Sequence, residues 1–304
     1  MKLNYKTLGL SAMVSATALL GLQACNGGNN NNQGNTGNNQ ETESDGFAES
    51  SDDLTTYYLL PSPEDIFAFS SEKLKFSSAL LNPTDRANTY EDSKSKETNF
   101  GVYCADMAYC AVNGQNQDAV KYLAVLRELS AKLGLESVFS TKLNDRIDEQ
   151  IQNKDSLKAI ANDTYLDIKK ALEIQGKNST IAQISAGGWI ECMYIIINSI
   201  DSFSNTDINI QQIADEKNVF ESLMAYLEQF KSKPGISETI EQLRPLGAAY
   251  NQLSVVVVEN TGNQTTENGA MIIGGNKKIE ISEDNFNTLK KTITDIRQAL
   301  TSNK

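Results

Sequence analysis

Asp106 and Glu191 each interrupt an apolar stretch, "VYCADMAY" and "GGWIECMY". Two carboxyls sharing a cleft of low dielectric repel each other. One then keeps its proton, and the pair becomes the acid and base that glycoside hydrolysis needs. The same residues also suit a structural task, in which hydrogen-bonded carboxylates fix the contact between two helices. Tyr103, Tyr109, Trp189 and Tyr194 flank them and would either line a groove for sugar or peptide or pack as core. Spacing along the chain leaves both readings open.

The chain has no histidine. That absence removes Ser-His-Asp and Cys-His nucleophiles, histidine-ligated zinc and most neutral-pH proton shuttles, leaving carboxylates, Lys, Tyr, Ser and Cys. "SSEK" at 70–73 and "SKSK" at 93–96 match Ser-x-x-Lys, but the companion motifs of penicillin-binding enzymes are missing. From Asn205 to Glu216 the spacing imitates a calcium loop. Ile210 stands where that loop needs glycine, so Asp207 reads better as a helix cap. No metal site and no cofactor is expected.

Cys104 lies on a stripe of small residues, Gly101, Cys104, Ala108 and Ala111, spaced three, four and three apart, and Ser185, Gly188 and Cys192 form a second stripe. Such rows let helix backbones approach closely, which would offset the cost of about 1 kcal/mol that mid-helix Gly187 and Gly188 each carry relative to alanine. If the two helices pack together, a Cys104–Cys192 disulfide is within reach in an oxidising compartment. Cys104 and Cys110 cannot bridge within one regular helix, their Cα atoms being about 9 Å apart. Free buried thiols are the alternative.

Cys25 belongs to a different chemistry. Lys2 and Lys6 precede an apolar run from Leu8 to Leu22, and "LQAC" puts a small residue before the cysteine. This is the pattern of a secretory signal, residues 1–24, with a lipoprotein cleavage site that leaves Cys25 as the lipidated first residue. The run is shorter than the roughly 20 apolar residues that span a bilayer. Residues 25–56 are rich in Asn and Gly and read as a coil tether. A folded domain is expected over 57–304.

Charge narrows the partners. The chain carries 27 basic and 39 acidic residues, net −12, and cleavage would remove only Lys2 and Lys6, taking it to −14. Such a surface repels phosphate backbones and anionic headgroups, so no nucleic-acid partner is expected and the membrane is met through lipid alone.

The positioning elements read as helices. Ser62 caps at "PSPEDI", with Pro63 at the first helical position. Helical periodicity follows over 98–112, then from 117 to a stop at Gly134, and over 140–153, 154–176, 178–201 and 207–230. After Pro234 a helix is expected from Ser237, kinked or interrupted at Pro245. "SVVVVEN" and "AMIIGGNKKIEIS" suggest a hairpin or meander around Gly274 and Gly275, and a last amphipathic helix spans 283–302. The expected fold is all-α, a multi-helix bundle with a small β appendage near the C-terminus.

At "YYLLPSPEDI", "NFGVYCADMAYCAV" and "AGGWIECMYI" the chain resembles a family of uncharacterised lipoproteins of the Bacteroides group of Gram-negative bacteria, over about residues 57–300. The resemblance implies an outer-membrane destination and no established activity. In that family the places of Cys104 and Cys192 are usually glycine. This implies close helix packing there and argues against catalytic cysteines. The residues after Cys25 are uncharged, unlike the acidic run of that group's surface-exposed lipoproteins, which favours the periplasmic face. Two functions follow as expectations. One is a lipid-anchored envelope module that binds or scaffolds a protein or glycan; the other is a hydrolase of envelope glycan or peptide built on Asp106 and Glu191.

Overall fold

Residues 98 to 112 are buried without a break, and so is nearly every residue from 180 to 197. A helix that is apolar all round has no solvent face to offer, so it must be enclosed by other helices. That is the arrangement in the computed structural model, which describes residues 60–70, 74–139, 153–258 and 276–302, with isolated positions between 143 and 149. The signal and tether (1–56), Cys25, the expected helix over 140–153 and the turn at Gly274 and Gly275 lie outside, or almost wholly outside, the described residues. All described residues belong to one compact unit, Glu49–Lys304.

The helices are α1 (Pro63–Ser70), α2 (Ser93–Val112), α3 (Asn116–Leu133), α4 (Lys154–Ile174), α5 (Asn178–Asn198), α6 (Ile208–Asp215), α7 (Lys217–Glu228), α8 (Pro234–Tyr250) and α9 (Glu283–Thr301). Strands β1 (Ser254–Val258) and β2 (Asn276–Glu280) pair antiparallel, with Val255 opposite Ile279 and Val256 opposite Lys278. The protein is an all-α bundle with a two-stranded appendage near its C-terminus. α2 and α5 are the central pair, and α3, α4, α1 and α9 pack around them.

Local chemistry sets most of the ends. Ser62 Oγ accepts from the Asp65 N–H at 3.1 Å while Asp65 accepts from the Ser62 N–H at 3.0 Å, a reciprocal cap that starts α1. Ser282 and Asn285 do the same for α9. Gly134 ends α3 in the left-handed region at φ 72°, a conformation that disfavours a Cβ. Two expectations are corrected. The helix over 207–230 breaks at Glu216, whose side chain turns inward to Trp189. And α8 begins at Pro234 and runs through Pro245 to Tyr250.

The α2–α5 crossing is backbone against backbone. A Cβ on Gly101 would fall 1.9 Å from the Ile184 carbonyl oxygen, and one on Gly187 would fall 2.0 Å from that of Thr98. Gly188 faces Gly101, with 3.2 Å from an added Cβ to the Gly101 oxygen. Only hydrogen fits at the first two places. α5 is also long and apolar enough to cross a membrane, but 89% of its most apolar window is buried, so its apolarity is taken up by the core.

Gly101→Ala should therefore destabilise the fold by about 3 kcal/mol in urea unfolding despite alanine's better helix propensity, because the added methyl must force two backbones apart. Gly176, at φ 66° with open space around it, supplies the comparison: Gly176→Ala should cost only about 1–2 kcal/mol.

Candidate functional site

The crossing that needs glycine also brings the two acids together. Asp106 of α2 and Glu191 of α5 are both 0% exposed. From α9, Arg297 reaches between the central helices and donates through Nε and Nη2 to the two oxygens of Glu191, each at 2.8 Å. Its guanidinium lies 4.7 Å from the centre of the Tyr194 ring. A bidentate fork of this kind holds the Glu191 carboxylate in plane and in charge balance. Burial alone would lower the Arg297 pKa, but the hydrogen bonds and charge of Glu191 more than reverse that, so the guanidinium stays protonated.

Asp106 is the unbalanced member. Its Oδ2 accepts from the Asn82 N–H at 3.2 Å, while its Oδ1 has no donor facing it. Burial pushes the Asp106 carboxyl well above the usual range, the neighbouring Glu191 charge adds to this, and Arg297 only partly opposes it. Protonation of Asp106 removes the need for a donor at Oδ1 and relieves its repulsion of Glu191. Two acids, one proton and one arginine then sum to no net charge beneath the core.

The pair is held by a ring of tyrosines and one loop. Tyr90 OH accepts from Asn82 Nδ2 at 3.0 Å, Tyr122 OH donates to the Asn82 carbonyl at 3.0 Å, and Tyr103 OH donates to the Pro83 carbonyl at 2.9 Å. Arg86 donates to the Thr301 carbonyl at 3.3 Å, and Asn99 to that of Leu300 at 3.0 Å. The network thus pins the segment 77–90, with its two short 3-10 helices, and the end of α9 onto α2.

The acids do converge, as hydrolysis would require, yet both are sealed. Neither lines either of the two surface cavities described below. In this structure they meet each other and Arg297 and not solvent, a placement that matches the structural task. Tyr103, Tyr109 and Trp189 are likewise buried, and Trp189 Nε1 donates to Glu216 at 2.8 Å. Tyr194 is only partly buried, but it stacks against Arg297 and does not line either cavity. The aromatic groove expected around the acids is core. Asp207 caps α6 by accepting from the Asn209 N–H at 2.8 Å, as the sequence suggests, and Glu216 bonds to Trp189.

The cysteine expectation is also corrected. The two stripes do pack against each other, but Cys104, Cys110 and Cys192 are free, buried thiols. Burial raises all three pKa values, so none is a thiolate nucleophile at neutral pH.

Sequence reasoning missed three features. Arg297 was hidden beside Ile296 at the edge of the α9 apolar stripe. Lys169 of α4 is 6% exposed, with Nζ 5.4 Å from the Tyr165 ring centre, and burial lowers its pKa to about 8 despite Asp65 and Glu173. The third is a surface cavity of about 600 Å³ where the first turns of α2, α5 and α8 meet the last turn of α9, lined among others by Lys94, Glu97, Ser179, Gln183, Lys233 and Gln242. No local motif marks it, since four separate segments build it. A second hollow of about 450 Å³, mostly apolar, lies between α7 and α8 against Phe220, Met224 and Tyr250.

Two measurements check this site. Glu191→Gln strands the Arg297 charge and should cost about 3–5 kcal/mol, whereas Asp106→Asn, which mimics the protonated acid, should cost about 1 kcal/mol or less at pH 7. The folded-state pKa of Asp106 lies above its ordinary value of 3.8, so its contribution is complete below that pH and is lost as pH rises through the folded value. Asp106→Asn should therefore gain on the unsubstituted protein as urea midpoints are taken upward from pH 4. A constant gap would mean that Asp106 is ionised. Separately, a thiol-disulfide reagent should leave Cys104, Cys110 and Cys192 unlabelled in the folded protein and label all three after denaturation without reductant.

Comparison of the chain with protein-family models, with curated proteins and with solved structures finds no match in any of the three.

Proposed function

We propose that this protein is a binding or scaffold module of the cell envelope, tethered by lipid on Cys25 and facing the periplasm from the outer membrane. One observation favours binding over catalysis: the carboxyl pair is spent on holding the core together, while the cavity of about 600 Å³ stands at the surface lined by charged and amide side chains. That volume falls within the range of sites for small ligands or for one anchoring segment of a larger partner. The anchor rests on the "LQAC" pattern and the short apolar run before it, and the resemblance to Bacteroides-group lipoproteins supports the same destination. An envelope protein or glycan is the partner in this reading, with neither nucleic acid nor cofactor involved.

Labelled palmitate should enter the unsubstituted chain and be absent from Cys25→Ala, which should also be released from the membrane fraction. Cross-linking in intact cells followed by purification of the tethered chain should retain an envelope component in stoichiometric amount. A chain recovered alone after cross-linking would remove the binding reading.

A further inference from the structure

Around the larger cavity the helix starts are already answered. Asp92 caps α2 by accepting from the Ser95 N–H at 2.9 Å, the Thr180 N–H of α5 bonds to the Lys177 carbonyl at 3.0 Å, and α8 opens with Pro234, which has no N–H. The lysines that line the cavity are served as well. Lys94 pairs with Glu238 at 2.9 Å, and Lys233 is exposed, so water hydrates its charge.

What stays open is a set of acceptors. Gln183, 1% exposed, commits its amide nitrogen to the hydroxyls of Thr98 and Thr239, the second at 2.7 Å, and Thr239 passes its own hydrogen to the Gly235 carbonyl at 3.1 Å. That relay fixes the amide orientation and leaves Gln183 Oε1 without a protein donor. Gln242, also lining the cavity, has an unpartnered Oε1 as well. Glu97 is the third acceptor and the charged one. It accepts from Thr180 Oγ1 at 3.0 Å and, among the described residues, forms no ion pair with a lysine or arginine. Burial pushes its carboxyl above the usual range, although the Thr180 bond and the charge of Lys177 oppose this, and Lys177 itself donates to the Leu133 carbonyl at 3.2 Å. A cation entering beside Glu97 relieves that cost of burial.

Resting on the binding reading above, we infer that the cavity takes a primary ammonium on an aliphatic stem, with Glu97 facing the charge and the oxygens of Gln183 and Gln242 accepting its hydrogens. An ammonium carries three donors and no acceptor, so it answers all three groups and brings no unmet acceptor of its own. Ile236, Ala299 and Leu300 give the stem an apolar wall. A quaternary ammonium has the charge without N–H groups, and no aromatic ring lines the cavity to hold it by a π face. A neutral amide has N–H groups without the charge and adds an acceptor of its own. The net charge of −12 on the chain also draws cations toward its surface.

The test is calorimetric titration of the full chain in detergent with Nα-acetyl-lysine methylamide, its Nε-acetyl and Nε-trimethyl forms, and putrescine. The lysine derivative or putrescine should bind with a Kd between about 1 μM and 1 mM, the tighter of the two telling a partner's side chain from a free amine. Both modified forms should bind at least about tenfold more weakly than the lysine derivative, since one loses the charge and the other the donors. Glu97→Gln, which keeps an acceptor for Thr180 and whose fold is checked by circular dichroism, should weaken the amine at least about tenfold, whereas Glu221→Gln, an exposed change at the other hollow, should leave it unaltered. Absence of heat with either amine up to about 10 mM, equal binding of a modified form, an unaltered Glu97→Gln, or an equal loss in Glu221→Gln would each overturn the assignment. Failure here with an envelope partner still cross-linked would reject the ammonium and spare the binding module.

Discussion

The close crossing of α2 and α5 is the constraint on which the rest of the structure depends. With a carbonyl oxygen standing where the Cβ of Gly101 or Gly187 would be, the two helices are nearer than any side chain would allow, and this closeness sets what can lie on either side of the contact. It places Asp106 and Glu191 within hydrogen-bonding reach of each other, deep in the bundle. It also leaves the thiols of Cys104 and Cys192 enclosed. Close approach gains dispersion contact along both helices, and it excludes water from every polar group near the seam.

Excluding water makes polar residues in the core costly, and the buried network is the response. Arg297 supplies the charge that Glu191 needs, burial favours the protonated form of Asp106, and Asn82 with Tyr90, Tyr103 and Tyr122 ties the segment around it to the core. A buried ion pair of this kind is a weak source of net stability, since desolvation offsets most of its Coulomb gain. Its effect is on geometry. α9 and the segment 77–90 have one orientation in which the guanidinium and the Asn82 amide both find partners, and any other leaves an orphaned charge.

Function follows from where these demands are satisfied and where they are not. In the core Glu191 is answered by Arg297 and both acids are enclosed. At the surface cavity some demands remain open: the amide oxygens of Gln183 and Gln242 have no donor. A wall with unmet acceptors suits a ligand that brings donors.

By itself the sequence determined the local elements. Ser62, Asp207, Gly134 and Gly176 act through bonds and backbone angles within a few residues, so their helix ends were legible, and the small-residue stripes foretold a close α2–α5 packing. The break at Glu216 and the uninterrupted helix through Pro245 were not legible, because Trp189 and the packing of α8 override local preference. That Asp106 and Glu191 lie enclosed beneath the core and not in an open cleft was decided only by tertiary structure. Each acid looks the same in the chain, and its role depends on Arg297, more than a hundred residues away from Glu191, and on whether water reaches it. The same holds for the cavity, whose walls come from four segments that share no motif and meet only when the bundle closes.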